Sequence, residues 1–154
     1  MGLQRYQARR RFDRTPQPRG GYVARARSAT PMRFVVQKHA DSRLHYDFRL
    51  EMDGVLKSWA VTKEPSDDTA VKRLAVRTED HPLEYAGFER EIPEDPWDRG
   101  TWLPEGAPLT SLRRGKLTFE LRGRRMKGRW SLIRVGNAST RKKDLWLLMK
   151  HAEP

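Results

Sequence analysis

The clearest pattern in the chain is a strict alternation of apolar and polar residues between Leu44 and Met52. The apolar residues fall on one face and the polar residues on the other: Leu44, Tyr46, Phe48, Leu50 and Met52 against His45, Asp47, Arg49 and Glu51. Because successive side chains of a strand point to opposite faces, this alternation predicts a β-strand with one buried and one polar face. Asp53-Gly54 follows, a pair typical of two-residue hairpin turns, so Val55 to Thr62 is predicted to return as the partner strand.

A two-residue turn also determines which residues lie opposite each other in this hairpin. The pairs that it predicts are Met52 with Val55, Arg49 with Ser58, Asp47 with Ala60 and His45 with Thr62. The polar face of the first strand therefore lies beside small side chains on the second strand, which leaves room for a ligand.

The other regular segments are short and rich in residues that favour strands. Strands are predicted over Phe34 to His39, Val71 to Arg77, Lys116 to Arg122, Arg129 to Val135 and Leu145 to Lys150. No segment shows a long apolar period of 3.6 residues, so helices should be short and few. This pattern predicts a mainly β protein, a small antiparallel β-barrel or sandwich with short flanking helices.

The amino-terminal residues lack such a pattern. Proline and glycine interrupt regular structure there at Pro16, Pro18, Gly20 and Gly21. We therefore expect an irregular, basic arm over residues 1–31 and a barrel domain over residues 32–154.

The net charge of +12 is distributed unevenly along the chain. Residues 1–30 hold eight basic residues and one acidic, residues 51–105 hold seven basic and fourteen acidic, and residues 113–150 hold thirteen basic and two acidic. Two basic ends around an acidic middle favour nucleic acid as a partner over an evenly solvated surface. No stretch has the apolar length of a membrane-spanning helix, so no membrane partner is expected, and the absence of cysteine suits a reducing cytoplasm.

Two histidines and an aspartate give the strongest chemical signal, since His39, His45 and Asp47 lie within nine residues. Imidazole and carboxylate ligands suit divalent ions such as Mn²⁺ or Zn²⁺. His45 and Asp47 share one face of the predicted strand, and His39 ends the preceding strand, so the three could form a site with open coordination positions. The spacing alone also fits two surface histidines beside an ion-paired aspartate.

The sequence around this cluster resembles a known family. The stretch FVVQKHADSRLHYDFRLEMDGVLKSWAVTKEP at residues 34–65 closely resembles the 3′-phosphoesterase domain of bacterial DNA ligase D, the end-joining ligase. The resemblance continues in RLAVRTEDHPLEYAGF at 73–88, WDRGTW at 97–102 and WLLMK at 146–150. It implies a small β-barrel that uses Mn²⁺ to remove 3′-phosphate, and also 3′-ribonucleoside, from DNA or RNA–DNA ends before ligation in DNA repair. The implied partners are primer–template 3′ ends and a separate ligase or polymerase of the end-joining pathway.

The resemblance also implies roles for individual residues. It assigns metal binding to His39, His45 and Asp47, catalysis to Arg49, His81 and Tyr85, and substrate binding to Arg10, Lys63, Arg73 and Glu79. The assignment of Arg49 has a physical basis, because it follows Asp47 by two residues on the same face and its guanidinium can clamp a phosphate with two hydrogen bonds.

The chain departs from the family pattern at two places. Arg11 and Gln17 stand where the family carries acidic residues, so ribonucleoside removal is expected to be weak beside phosphate removal. Between Pro93 and Trp97 a strand rich in Gly and Val is reduced to a few residues, so a barrel strand is expected to be missing or shortened. Ligase and polymerase motifs are absent, which suggests a free-standing module or an excised domain.

Two other functions remain open at this stage. A non-catalytic module that binds nucleic-acid ends could share the fold, although the intact set of ligands with Arg49 and His81 argues against it. A general RNA-binding barrel would display stacking aromatics on an exposed face. Tyr46 and Phe48 instead lie on the apolar face and are predicted to be core.

Overall fold

A computed structural model describes residues 31–40, 43–83, 95–135 and 143–152, which contain nine β-strands and one short helix. The strands are β1 (Met32–Ala40), β2 (Leu44–Met52), β3 (Val55–Val61), β4 (Lys72–Arg77), β5 (His81–Pro82), β6 (Asp98–Pro104), β7 (Lys116–Arg122), β8 (Lys127–Arg134) and β9 (Asp144–Lys150), and the helix is α1 (Pro108–Arg114). No helix in these ranges is long and apolar enough to cross a membrane. The predicted arm, apart from Pro31, lies outside the described residues, so the prediction of two separate parts stays untested.

Eight of the strands close into an antiparallel barrel in the order β1-β2-β3-β4-β9-β8-β7-β6. Closure depends on the pairing of β6 with β1, where Asp98 lies opposite Val36. Strand β5 is an addition outside the closed circle and pairs with β3, with His81 opposite Leu56. The prediction of a mainly β protein built as a small antiparallel barrel is confirmed.

The β2–β3 hairpin has the predicted turn and register. Asp53 and Gly54 have φ angles of 56° and 77°, and positive values at both positions define the tight turn that suits twisted strands. Met52 lies opposite Val55, Arg49 opposite Ser58 and Asp47 opposite Ala60, as predicted. The last pair of the two strands is Tyr46 with Val61, so the pair expected for His45 falls beyond the end of β3.

The interior of the barrel is filled with large side chains. Four tryptophans have at most 1% of their surface exposed: Trp59, Trp102, Trp130 and Trp146. Tyr46 and Phe48 are 2% and 0% exposed, which confirms that they belong to the core rather than to a stacking surface. Because these bulky side chains fill the interior, a site for a large ligand is expected on the outer face or at the ends of the barrel.

Strand β6 was not among the predicted strands. It begins with an aspartate, contains Gly100 and ends with Pro104, and residues of these three types disfavour strands. Pairing with both β1 and β7 holds it in the sheet nonetheless. The barrel thus closes although the segment before Trp97 is short.

Asp98, at the start of β6, is a buried charge that organises the turn between β7 and β8. Its side chain accepts hydrogen bonds from the backbone N–H groups of Arg124, Arg125 and Met126 at 2.8, 3.2 and 2.7 Å, and from that of Arg99 at 2.9 Å. The residue is only 2% exposed, so water cannot replace these bonds. The carboxylate therefore accepts the backbone hydrogen bonds that a carbonyl of a neighbouring strand would otherwise accept.

Asp98→Ala should lower the free energy of unfolding by about 3 kcal/mol or more, because it leaves several buried N–H donors without an acceptor. The measurement is urea unfolding followed by tryptophan fluorescence. Asp95→Ala, at an exposed position nearby, is the control and should change stability by less than about 0.5 kcal/mol. Equal stability of the two variants would show that the Asp98 bonds do not support the turn.

Candidate metal centre

Strand pairing brings the two histidines of the cluster side by side. His39 near the end of β1 lies directly opposite His45 near the start of β2, and their rings meet edge to face with centroids 5.2 Å apart. Asp47 lies two residues further along β2, so it shares a face with His45, while Tyr46 between them points into the barrel. All three side chains are therefore on the outer face.

The ligand atoms of these side chains converge. Nδ1 of His39 lies 3.1 Å from Oδ2 of Asp47, and Nε2 of His45 lies 3.5 Å from Oδ1 of the same carboxylate. One ligand atom from each residue lies within 4.8 Å of the others. The side chains are 33%, 28% and 14% exposed respectively, so a water molecule or a phosphate oxygen can reach the cluster.

A backbone carbonyl orients one of the two rings. Nδ1 of His45 lies 3.2 Å from the carbonyl oxygen of Arg43 and donates to it when it carries the proton. In that tautomer Nε2, 3.5 Å from Oδ1 of Asp47, carries no proton and can bind a metal. A histidine whose other ring nitrogen donates to a backbone carbonyl is the usual arrangement of metal ligands. Two imidazole nitrogens and a carboxylate oxygen fit a divalent transition ion, with positions left for water or substrate.

Arg49 lies beside the cluster and has one donor nitrogen that is without a partner among the described residues. It is the next outward residue of β2 after Asp47, and its Nη2 lies 3.9 Å from Oδ2 of Asp47. Its Nε is buried and has no hydrogen-bond partner within the described part of the chain. A buried donor without a partner is costly, so an anion that filled this position would be well bound.

An ion pair anchors the loop that carries two more of the predicted site residues, Glu79 and His81. Asp80 between them accepts hydrogen bonds from Lys57 at 2.7 Å and from Arg77 at 3.1 Å. Partial burial on its own raises the pKa of the Asp80 carboxyl, but these two hydrogen bonds outweigh it and hold the pKa below its usual range. The anchor is therefore intact at neutral pH and weakens only as the pH falls through the lowered pKa.

The register of β5 places His81 on the same outer face as the cluster. His81 lies opposite Leu56 of β3, and Leu56 lies opposite Glu51 of β2. Residues opposite each other in antiparallel strands point to the same side of the sheet, so His81 is two strands away from the row that carries Asp47 and Arg49.

The remaining predicted site residues are more dispersed. Lys63 is exposed just after β3, and Glu79 is exposed in the anchored loop. Arg73 lies on the inward side of β4, two residues before the buried Ala75, and its Nε donates to the carbonyl of Glu64 at 2.7 Å. Arg10 and Tyr85 lie outside the described residues. The structure thus brings the three predicted ligands and Arg49 together, and leaves Arg73 and Lys63 at the barrel end.

Three contacts in the structure were not predicted from the sequence. Two of them support the site, and the third lies apart from it. The Arg43 carbonyl leaves no sequence signal, because any residue supplies it. The anchoring role of Asp80 was unrecognised, although it stands in the quoted motif beside His81. His151 lies apart from the site, with its Nε2 2.7 Å from Oγ of the buried Ser131. The contacts of Asp80 with Lys57 and of His151 with Ser131 depend on long-range pairing and could not be predicted from local patterns.

The closed barrel and the His–His–Asp cluster on its outer face define a small β-barrel domain with a candidate metal centre. A sequence profile of the DNA Ligase D 3′-phosphoesterase domain matches residues 37–134. The chain therefore belongs to the DNA ligase D 3′-phosphoesterase domain family, as the resemblance indicated.

Full-length relatives extend this match. The chain is 49% identical over 96% of its length to the multifunctional non-homologous end joining protein LigD of Pseudomonas aeruginosa. It is 42% identical over 94% of its length to the protein of that name from Mycobacterium bovis, and 37% identical over 86% to that of Mycolicibacterium smegmatis. It spans only 18–19% of these relatives, about a fifth of their length.

The cluster should bind one Mn²⁺ ion, and each of the substitutions His39→Ala, His45→Ala and Asp47→Ala should abolish binding. Isothermal titration calorimetry measures it directly. Mn²⁺ at about 100 times its dissociation constant should also stabilise the unsubstituted protein by about 2.7 kcal/mol, a gain that the variants should lack. His81→Gln, on the same face but outside the cluster, should bind Mn²⁺ normally. A variant that keeps full binding would remove its residue from the site.

Proposed function

We propose that the chain is a metal-dependent 3′-phosphoesterase that removes 3′-phosphate from nucleic-acid ends before ligation in end-joining repair. The observation that carries this proposal is the convergence of three metal-ligand atoms beside Arg49, whose buried Nε has no partner among the described residues. Membership of the 3′-phosphoesterase domain family supports the reaction class, and the names of the relatives support the repair pathway.

His39, His45 and Asp47 would hold the metal ion, which we take to be Mn²⁺. When bound there, such an ion draws off negative charge that builds on the phosphate during hydrolysis. Arg49 supplies the second contact. Its guanidinium can donate two parallel hydrogen bonds to the same phosphate, which orients the phosphorus for attack by water.

Hydrolysis breaks the bond between phosphorus and the 3′ oxygen, and that oxygen must gain a proton as it leaves. We assign this proton, or a hydrogen bond in its place, to His81, which lies on the same outer face. The loop anchor at Asp80 limits the movement of His81 and so favours a fixed position for the donor.

The other family positions complete the proposal. Tyr85 is assigned a contact to the phosphate, and Arg10, Lys63, Arg73 and Glu79 are assigned contacts to the substrate. We propose that the domain acts together with a ligase or polymerase of the end-joining pathway, in one chain or as a separate protein. The relatives, about five times as long, are named as multifunctional end joining proteins, which supports a role beside other activities.

The two kinds of 3′ end place different demands on the site. A terminal ribonucleoside must be held by its sugar, and an acidic group could accept a hydrogen bond from its 2′-hydroxyl. Arg11 offers no acceptor and Gln17 only a neutral one. We therefore propose that phosphate removal is the main activity and that ribonucleoside removal is weak.

A primer–template that ends in 3′-phosphate, incubated with the chain and Mn²⁺, should lose that phosphate, and EDTA should stop the reaction. A matched primer with one 3′-ribonucleotide should be trimmed more slowly. Arg49→Gln should lower kcat/KM for phosphate removal by about 10²–10³, the loss typical for a donor to a transition-state oxygen. Arg113→Gln, an exposed cation on α1, is the control and should retain activity.

Binding of the primer–template without hydrolysis under any metal would contradict the enzymatic proposal. It would favour the non-catalytic module that binds ends.

A further inference from the structure

The turn between β7 and β8 carries a dense group of cations, which we call the basic turn: Arg122, Arg124, Arg125 and Lys127. Glu120 lies 3.4 Å from Arg122, and Arg125 is engaged with Trp97. Arg124 and Lys127 are exposed, and neither side chain has an ion-pair partner in the ranges that the structure covers. Arg129, two residues further along β8, is by contrast paired with Glu105 at 2.7 Å.

Hydrogen bonds to Asp98 hold the basic turn in one conformation. The Asp98 carboxylate accepts three of its backbone N–H groups, and Gly123 donates to the carbonyl of Met126 at 2.9 Å. A Cβ atom at Gly123 would collide with Asp98 and Phe34, so the turn backbone lies tightly on the core. The two unpaired cations are thus presented by a rigid backbone, which lowers the entropic cost of binding a ligand.

Trp97 makes a second set of contacts with the turn, through Arg125. The Arg125 guanidinium lies 4.8 Å from the centre of the Trp97 ring, and its Nε donates to the Trp97 carbonyl at 2.9 Å. Beside them is an open cleft of about 350 Å³, with Glu64 and Asp67 among its lining residues. Both acids are engaged elsewhere, Glu64 by the Tyr46 hydroxyl and Asp67 by Lys150. Neither carboxylate forms an ion pair with Arg124 or Lys127 within the described ranges.

The pairing within the hairpin carries an electrostatic cost. Arg122 lies directly opposite Lys127, and like charges in such positions destabilise a sheet. Glu120 forms an ion pair with Arg122 and so offsets the charge of Arg122 but not that of Lys127. An anionic ligand bound at this turn would offset the repulsion between Arg122 and Lys127. Anion binding would therefore explain why two cations lie opposite each other.

The basic turn and the metal cluster lie toward the same end of the barrel. Strand β6 starts at Asp98 opposite Val36, and three residues later along β1 is His39. Strand β6 alone separates β1 from β7. From strand spacing and rise, the turn lies on the order of 20 Å from the cluster, which corresponds to roughly six base pairs of duplex.

We propose that the basic turn binds the phosphate backbone of the nucleic acid whose 3′ end occupies the metal centre, with Arg124 and Lys127 as the contacting residues. This inference rests on the proposed function. Phosphate contacts of this kind position a duplex without reading its sequence. The turn therefore extends the substrate site from the terminal phosphate to the strand behind it.

The double substitution Arg124→Gln with Lys127→Gln tests the proposal through substrate length. On a 3′-phosphate primer–template of about 20 base pairs, KM should rise on the order of tenfold with kcat unchanged, because two phosphate contacts are lost. On a 3′-phosphorylated dinucleotide, which cannot reach the turn, KM should not change. An equal rise on both substrates would mean that the turn acts on the metal centre, and no rise on the long substrate would overturn the proposal.

Direct binding gives a readout independent of catalysis. Fluorescence anisotropy of a labelled duplex in EDTA should show weaker binding by the double variant, and the slope of log affinity against log salt should fall by about 1–2 units. The matched control is Arg113→Gln with Arg114→Gln, which removes two exposed cations from α1 at the other end of the barrel. That control should lose clearly less affinity.

The outcomes separate the two proposals. If the control weakens binding as much as the turn variant does, the effect is one of net charge and the inference is wrong. If the unsubstituted chain hydrolyses neither substrate, the proposed function fails, while the anisotropy comparison still decides whether the turn binds nucleic acid.

Discussion

The register between β1 and β2 is the constraint on which the site depends. It places His39 opposite His45, and it keeps Asp47 on the same outer face. A slip of one residue would turn the outer row of the shifted strand toward the core, and polar residues would then replace Phe34 if β1 shifted or Phe48 if β2 shifted. Both of these side chains are fully buried and pack against each other. The packing of the interior thus specifies the geometry of the His–His–Asp cluster on the exterior.

A filled interior also explains why the His–His–Asp cluster lies on the outside of the barrel. Eight-stranded barrels are just wide enough for side chains to fill, and here four tryptophans occupy that space. The outer face of β1 and β2 is open to large molecules, whereas an internal cavity would admit only small ones. An open face beside the basic turn suits the proposed substrate, a nucleic acid that is much longer than its terminal phosphate.

The parts of the fold that could be predicted from sequence are those with local causes. Alternation from Leu44 to Met52 and the Asp53-Gly54 turn were sufficient to predict the β2–β3 hairpin and three of its pairs. Strand β6 could not be found this way, because its residues disfavour strands and its pairing with β1 and β7 is long-range. The same division holds for the site. His45 and Asp47 share a face through local alternation, whereas the Asp98 and Asp80 anchors appear only once distant segments are paired.

The central claim is that one divalent ion binds where His39, His45 and Asp47 meet. Anomalous diffraction from a crystal soaked in Mn²⁺, collected at the manganese absorption edge, tests this most directly. The account predicts one strong peak with a nitrogen of His39, a nitrogen of His45 and a carboxylate oxygen of Asp47 about 2.0–2.3 Å away, as is usual for such ligands. A peak at other acidic residues such as Glu64 and Asp67, or no peak between the three side chains, would contradict it.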